Sequence, residues 1–173
     1  MPALTKLALH NRIAEASSAW ASVAGSLGQV PLLIDAPGFG AFALYAFTLT
    51  APPGGRPIGE YKVQLIQPGQ PRSARANLDL SDDRFAVIVG WSPEAQVFAL
   101  WDAYAHASFA YSQNLQVRGD AVWIARTDGI SSCPRTLRQE RGTETVVVCR
   151  GDHLKEGLGA RMDDTVRRIA DLG

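Results

Sequence analysis

Apolar residues at Leu9, Ile13, Ala16, Trp20, Val23 and Leu27 step by fours and threes. That is the period of a helix with one buried stripe, and it predicts an N-terminal helix over 3–27 with Gly28 as its stop. After Gly28 the period changes. Apolar runs bounded by Gly and Pro occupy 30–34, 42–50, 60–67, 85–91 and 97–101, and they read as strands. The short link between the last two contains Pro93, which predicts an antiparallel hairpin. Residues 67–84 have few apolar positions and two prolines, the pattern of an exposed loop. A helical turn is expected through 103–107, an extended piece around 114–118, and a short helix from an Asp120 cap to Thr127 with Gly129 as its stop. The run Val146-Val147-Val148 marks a strand over 143–150. From Asp152 onward, Leu154, Leu158, Met162, Val166 and Ile169 form the stripe of a C-terminal helix. The order predicts an α+β single domain over 1–173, a mostly antiparallel sheet flanked by N-terminal and C-terminal helices.

Composition narrows the picture. The 173 residues are 46% hydrophobic and 20% charged, enough to bury one sizeable core. Lys+Arg 17 balance Asp+Glu 17, so any contact with nucleic acid requires a local basic face. Cys133 and Cys149 lack the spacing of a zinc site and read as reduced thiols. His10, Asn11, Arg12 and Glu15 interrupt the apolar residues near the N-terminus, unlike the core of a signal peptide. No apolar run approaches the roughly 20 residues that span a bilayer. A soluble, cytoplasmic protein without membrane contact is expected.

Candidate chemistry starts at Glu60-Tyr61-Lys62-Val63-Gln64-Leu65, delivered by the turn Pro52-Pro53-Gly54-Gly55. On a strand, Glu60, Lys62 and Gln64 share one face while Tyr61, Val63 and Leu65 share the other. Glu60-x-Lys62 is half of the PD-(D/E)XK nuclease pattern. With Asp35 as a second carboxylate, Asp35 and Glu60 would hold Mg²⁺ and Lys62 would activate water. The same strand fits a binding surface, because Arg56, Lys62, Arg72 and Arg75 face only Glu60 over 56–75 and suit DNA phosphates. Further on, Asn114, Gln116 and Arg118 alternate with Leu115 and Val117, and amides and guanidinium match base edges. Tyr104, His106 and Tyr111 are candidates to stack on an unstacked base, with Ser112 in the same segment. Asp102 stands four residues before His106, the spacing at which a helix would let it orient the imidazole. Asp79, Asp82 and Asp83 read as a solvated turn.

The segments LYAFTLTAPPGGRPIGEYKVQLIQPGQ, FAVIVGWSPEAQVFALWDAYAH and FAYSQNLQVR resemble a bacterial family described as methylase-associated, of the X1 type. The resemblance runs over about 42–171. Such domains stand beside DNA methyltransferases, and related segments are attached to restriction endonucleases. The resemblance therefore implies work in DNA modification and restriction. It points to DNA, duplex or modified, as the partner, and to a methyltransferase or nuclease subunit as a further one. The reading adopted is DNA recognition without catalysis and without a cofactor. The alternatives are a Mg²⁺-dependent endodeoxyribonuclease using Asp35, Glu60 and Lys62, and an accessory protein that binds the methyltransferase itself.

Overall fold

In the computed structural model, which describes residues 2–53, 59–139 and 141–173, Thr5 caps the first helix, α1 (Lys6–Ser17). Its hydroxyl accepts from the Ala8 N–H at 3.1 Å. The helix does not run on to Leu27. Ser17 Oγ bonds the Ile13 carbonyl at 2.9 Å and Ser18 Oγ bonds that of Glu15 at 3.0 Å, so hydroxyls compete for the last carbonyls and the chain turns. Trp20, Val23 and Leu27 still pack against the core, but from this turn, from β1 (Ser22–Ala24) and from the loop after it.

The strands that follow are β2 (Leu32–Ala36), β3 (Gly40–Thr48), β4 (Glu60–Leu65), β5 (Ala76–Asn77), β6 (Phe85–Ser92), β7 (Val97–Asp102), β8 (Ser108–Phe109) and β9 (Gln113–Arg118). Helix α2 (Gly119–Asp128), β10 (Ile130–Thr136), β11 (Thr143–Cys149) and α3 (Leu154–Leu172) complete the order. Seven strands form one sheet in the order β1-β2-β3-β6-β7-β11-β10, antiparallel except for the parallel pair β3–β6. β6 and β7 make the expected hairpin. Between β3 and β6 the chain leaves the sheet and builds β4, which pairs with β9, and β5, which pairs with β8.

Burial on both faces explains the uninterrupted apolar runs of the central strands. Phe42, Leu44, Phe98 and Leu100 point to a core shared with α1 and α3. Tyr45, Phe47, Ala99 and Trp101 point to a second core, closed by Val63 and Leu65 of β4, Leu115 and Val117 of β9, and Val122 of α2. The β4–β9 ribbon is thus a lid on one side of the main sheet, with its other face turned outward. Gly90 makes room for it. A Cβ there would stand 2.8 Å from Val63 Cγ1 and 3.1 Å from Trp101 Cζ3. Gly90→Ala is expected to lower stability by about 1 to 3 kcal/mol through this overpacking, read as a shifted urea midpoint.

Three other departures have local causes. Strand β10 is not evident from the sequence because Ser131, Ser132 and Pro134 dilute its pattern, yet it pairs with β11 from Ile130↔Cys149 to Thr136↔Thr143. As an outer strand it tolerates proline. Asp120 lies in the first turn of α2, where its charge favours the helix dipole, and Arg118 holds the cap position. On α3 the inner face turns from Leu154 and Leu158 to Arg161 and Thr165, which leaves Val166 and Ile169 exposed. Arg161 bonds the Thr145 carbonyl and Asp164, and Asp164 accepts from the Thr145 N–H at 3.1 Å, so polar ties anchor that half of the helix to β11. Cys133 and Cys149 are free and buried. Among the described residues no helix is long and apolar enough to cross a membrane.

Candidate nucleic-acid interface

Two polar faces that are far apart in sequence prove to be one surface. The β4–β9 register sets Glu60 opposite Arg118, Lys62 opposite Gln116 and Gln64 opposite Asn114. Directly opposed residues share a face, so all six side chains leave the core together. Tyr61, Val63, Leu65, Leu115 and Val117 are buried beneath them. The Trp101 indole reinforces the ribbon by donating to the Gln116 carbonyl at 3.3 Å. At one end Arg118 pairs with Asp120. At the centre, no hydrogen bond among the described residues engages the side chains of Gln64, Asn114 or Gln116. Lys62 is half-buried and lines a neighbouring groove with Thr50, Pro52 and Glu94. Arg56 lies outside the described residues.

Asn114 and Gln116 also form one wall of a basin of about 450 Å³, lined further by Gln113, Arg75, Arg135, Arg138, Arg141 and His106. Two of its cations are held in place by hydrogen bonds that include backbone carbonyls. Arg75 donates to the Ser108 hydroxyl at 3.2 Å and the Ser108 carbonyl at 3.0 Å. Arg141 donates to the Ala105 carbonyl at 2.9 Å and the Arg138 carbonyl at 3.2 Å. Among the described residues no carboxylate lines the basin. In a chain with zero net charge, this is a concentrated positive field.

Behind the lining, His106 is paired with a fully buried carboxylate. His106 Nε2 lies 2.6 Å from Glu144 Oε1, the two side chains being 4% and 0% exposed. Glu144 also accepts from the Asp102 N–H at 3.0 Å and has Arg135 at 3.4 Å. Burial pushes its carboxyl pKa up, but the bond and charge of His106, the Asp102 N–H and the Arg161 charge outweigh it and leave the pKa below 4.5. The partner of His106 is thus Glu144, and Asp102 does other work. Asp102 caps a three-residue 3₁₀ turn over Ala103–Ala105, accepting from the N–H groups of Tyr104 and Ala105 at 2.9 and 3.3 Å. Its other oxygen pairs with Arg168 at 2.7 Å. The i, i+4 alignment expected of a helix fails because a 3₁₀ turn repeats every three residues.

The remaining candidates are placed elsewhere. Asp35, on β2, pairs with Arg84 at 2.8 Å and sits opposite Ala41 at one end of β3. Lys62 bridges Thr50, beyond the other end. The chain from Ala41 to Thr50 spans roughly 30 Å at about 3.3 Å per residue, so Asp35 and Glu60 do not converge on one metal ion. Nor do any three His, Cys, Asp or Glu residues among the described ones form a metal-binding group. The Tyr104 hydroxyl accepts from the Ala86 N–H at 3.2 Å and its ring packs 5.5 Å from that of Phe85, a scaffold position. Tyr111 and Ser112 form the turn into β9, where Ser112 has φ 60° and bonds the Leu65 carbonyl at 3.1 Å. Arg72 is exposed on the loop before β5. Gln113, Arg135, Arg138 and Arg141 join the surface without having stood out in the sequence. A signal is present there, since arginine recurs every third residue from 135 to 141.

These features define an α+β domain that presents an amide-rich strand ribbon beside an arginine-lined basin. A family model described as Methylase-associated X1 matches residues 40–158, and the chain belongs to that family. The match runs from β3 into α3 and covers both the ribbon and the basin. The description sets the protein in a restriction-modification context. Neither a curated protein nor a solved structure matches the sequence.

Proposed function

We propose that the protein binds DNA in a methylation-based restriction-modification system, recognising its site without cutting it. The reading rests on one observation: β4 and β9 merge into a single outward face of Lys62, Gln64, Asn114 and Gln116 that continues into four arginines. Arginines neutralise phosphates and release counterions, which supplies affinity without sequence information. Amides held at fixed spacing on a rigid ribbon can exchange paired hydrogen bonds with adenine edges, which supplies discrimination. The family description supports a DNA methyltransferase as a working neighbour.

Fluorescence anisotropy with labelled duplexes, methylated and unmethylated, tests the proposal over a salt series. Replacing Arg72 and Arg75 with alanine should weaken binding to every duplex and reduce the salt slope by about 1 for each phosphate that is no longer neutralised. Asn114→Ala or Gln116→Ala should cost about 1 to 3 kcal/mol on a preferred sequence and leave nonspecific binding unchanged. Absence of DNA affinity at low salt, whatever the methylation state, overturns the reading.

A further inference from the structure

The basin and the ribbon beside it suit different parts of a ligand. A duplex presents singly charged diesters in a line, one per about 3.4 Å of axis on each strand. An open ribbon follows such a line. The basin instead gathers Arg75, Arg135, Arg138 and Arg141 around a concavity of about 450 Å³, the size class of a small-molecule site. Guanidiniums that line one concavity suit a compact anion with several oxygens, which a guanidinium can bind in bidentate fashion. A phosphate monoester is such a group, carrying about −1.5 to −2 charges and three acceptor oxygens near neutral pH. A base fits the basin less well, because the one aromatic ring among its described lining residues, that of His106, is 4% exposed and offers little platform for stacking.

His106 sharpens the match. Its Nε2 is committed to Glu144, and no hydrogen bond among the described residues engages Nδ1. Nδ1 accepts from a protonated phosphate oxygen, or donates to an ionised one when the ring is charged. The carboxylate bonded to Nε2 fixes the ring.

We propose that the basin is a binding site for a phosphate monoester, either the terminal phosphate of a nucleic-acid strand or that of a free nucleotide. The proposal rests on the DNA-binding reading of the adjacent ribbon and adds to it a preference for phosphorylated ends.

The test compares duplexes that carry either 5′-phosphate or 5′-hydroxyl ends, with a nucleoside monophosphate and inorganic phosphate as competitors in separate arms. Wild-type protein should bind the phosphorylated duplex about tenfold tighter, the worth of one hydrogen bond to a charged group. His106→Asn should reduce that ratio toward one while hydroxyl-ended duplex binds as before, and Arg138→Ala should lower affinity for the phosphorylated duplex more than for the hydroxyl-ended one, with melting temperature confirming the fold. Tight binding of the free monophosphate, abolished in Arg138→Ala, would assign the site to nucleotides instead of strand ends. Equal affinity for both duplexes, together with no binding of either competitor, overturns the proposal and leaves DNA binding standing. Competitor binding without affinity for any duplex would overturn the DNA reading and leave the monoester site standing.

Discussion

Glu144→Ala is expected to remove about 3 to 5 kcal/mol of stability, because it strips the partner from His106 and the Asp102 N–H, which are buried with it and cannot return to water. The buried carboxylate receives His106, the Asp102 N–H and Arg135, and all are left unpaired at once. Glu144→Gln, which keeps shape and some hydrogen bonding, should cost less. The pH dependence follows from the same carboxyl. Its folded-state pKa lies below 4.5, so the ionised group stabilises the fold above that pH and the contribution is lost as pH falls through the lowered value. Thermal denaturation of wild type should therefore show a loss in melting temperature below about pH 4.5 that is reduced in Glu144→Gln. A variant whose melting temperature falls with acid as steeply as wild type would show that Glu144 is not the group responsible.

Reversing charge in the basin should have the largest effect on binding. Arg138→Glu with Arg141→Glu places two carboxylates where phosphate would approach, and like-charge juxtaposition costs several kcal/mol, so DNA affinity should drop about a hundredfold or more at low salt. The gap should narrow as salt rises, since the screening length contracts from about 10 Å at 0.1 M to about 3 Å at 1 M. Anisotropy at several salt concentrations measures both. Arg141 also ties to the Ala105 carbonyl, so melting temperature is followed in parallel and Arg138→Glu alone serves as the milder variant. Unchanged affinity in a folded double variant would mean that the basin does not meet DNA.

Much of the fold can be read from period alone, and the exceptions are instructive. In β4 and β9 one face meets the core and the other meets water, so the alternation of Tyr61, Val63, Leu65, Leu115 and Val117 with polar residues is plain in the sequence. What no local pattern discloses is that the two strands are partners, because pairing joins residues that are close only in space. The stripe from Leu9 to Leu27 misleads for the opposite reason. Turn and strand residues packing on one core reproduce a helical spacing by chance. On α3, Arg161 and Thr165 occupy the inner face that hydropathy would give to Val166 and Ile169, since their hydrogen bonds to β11 and within the helix compensate their burial. The basin is half legible. Arg75, His106, Asn114 and Gln116 stand out by residue type, whereas the three arginines at 135, 138 and 141 fall in a hairpin whose first strand, β10, has no clear apolar pattern.

The pairing of β4 with β9 has a consequence for how the chain acquires its surface. Residue 60 must wait for residue 118, and the chain between them includes the β6–β7 hairpin, whose partners are near neighbours in sequence. Short loops close at lower entropic cost than long ones, so the hairpin is expected to form ahead of the ribbon. Each half of the outward face is carried by a strand that has no ribbon partner until the other arrives. A chain still emerging from the ribosome, halted before β9, therefore has the glutamine of one strand without the amides of the other. The paired amide face that the DNA-binding proposal requires is complete only once β9 has emerged.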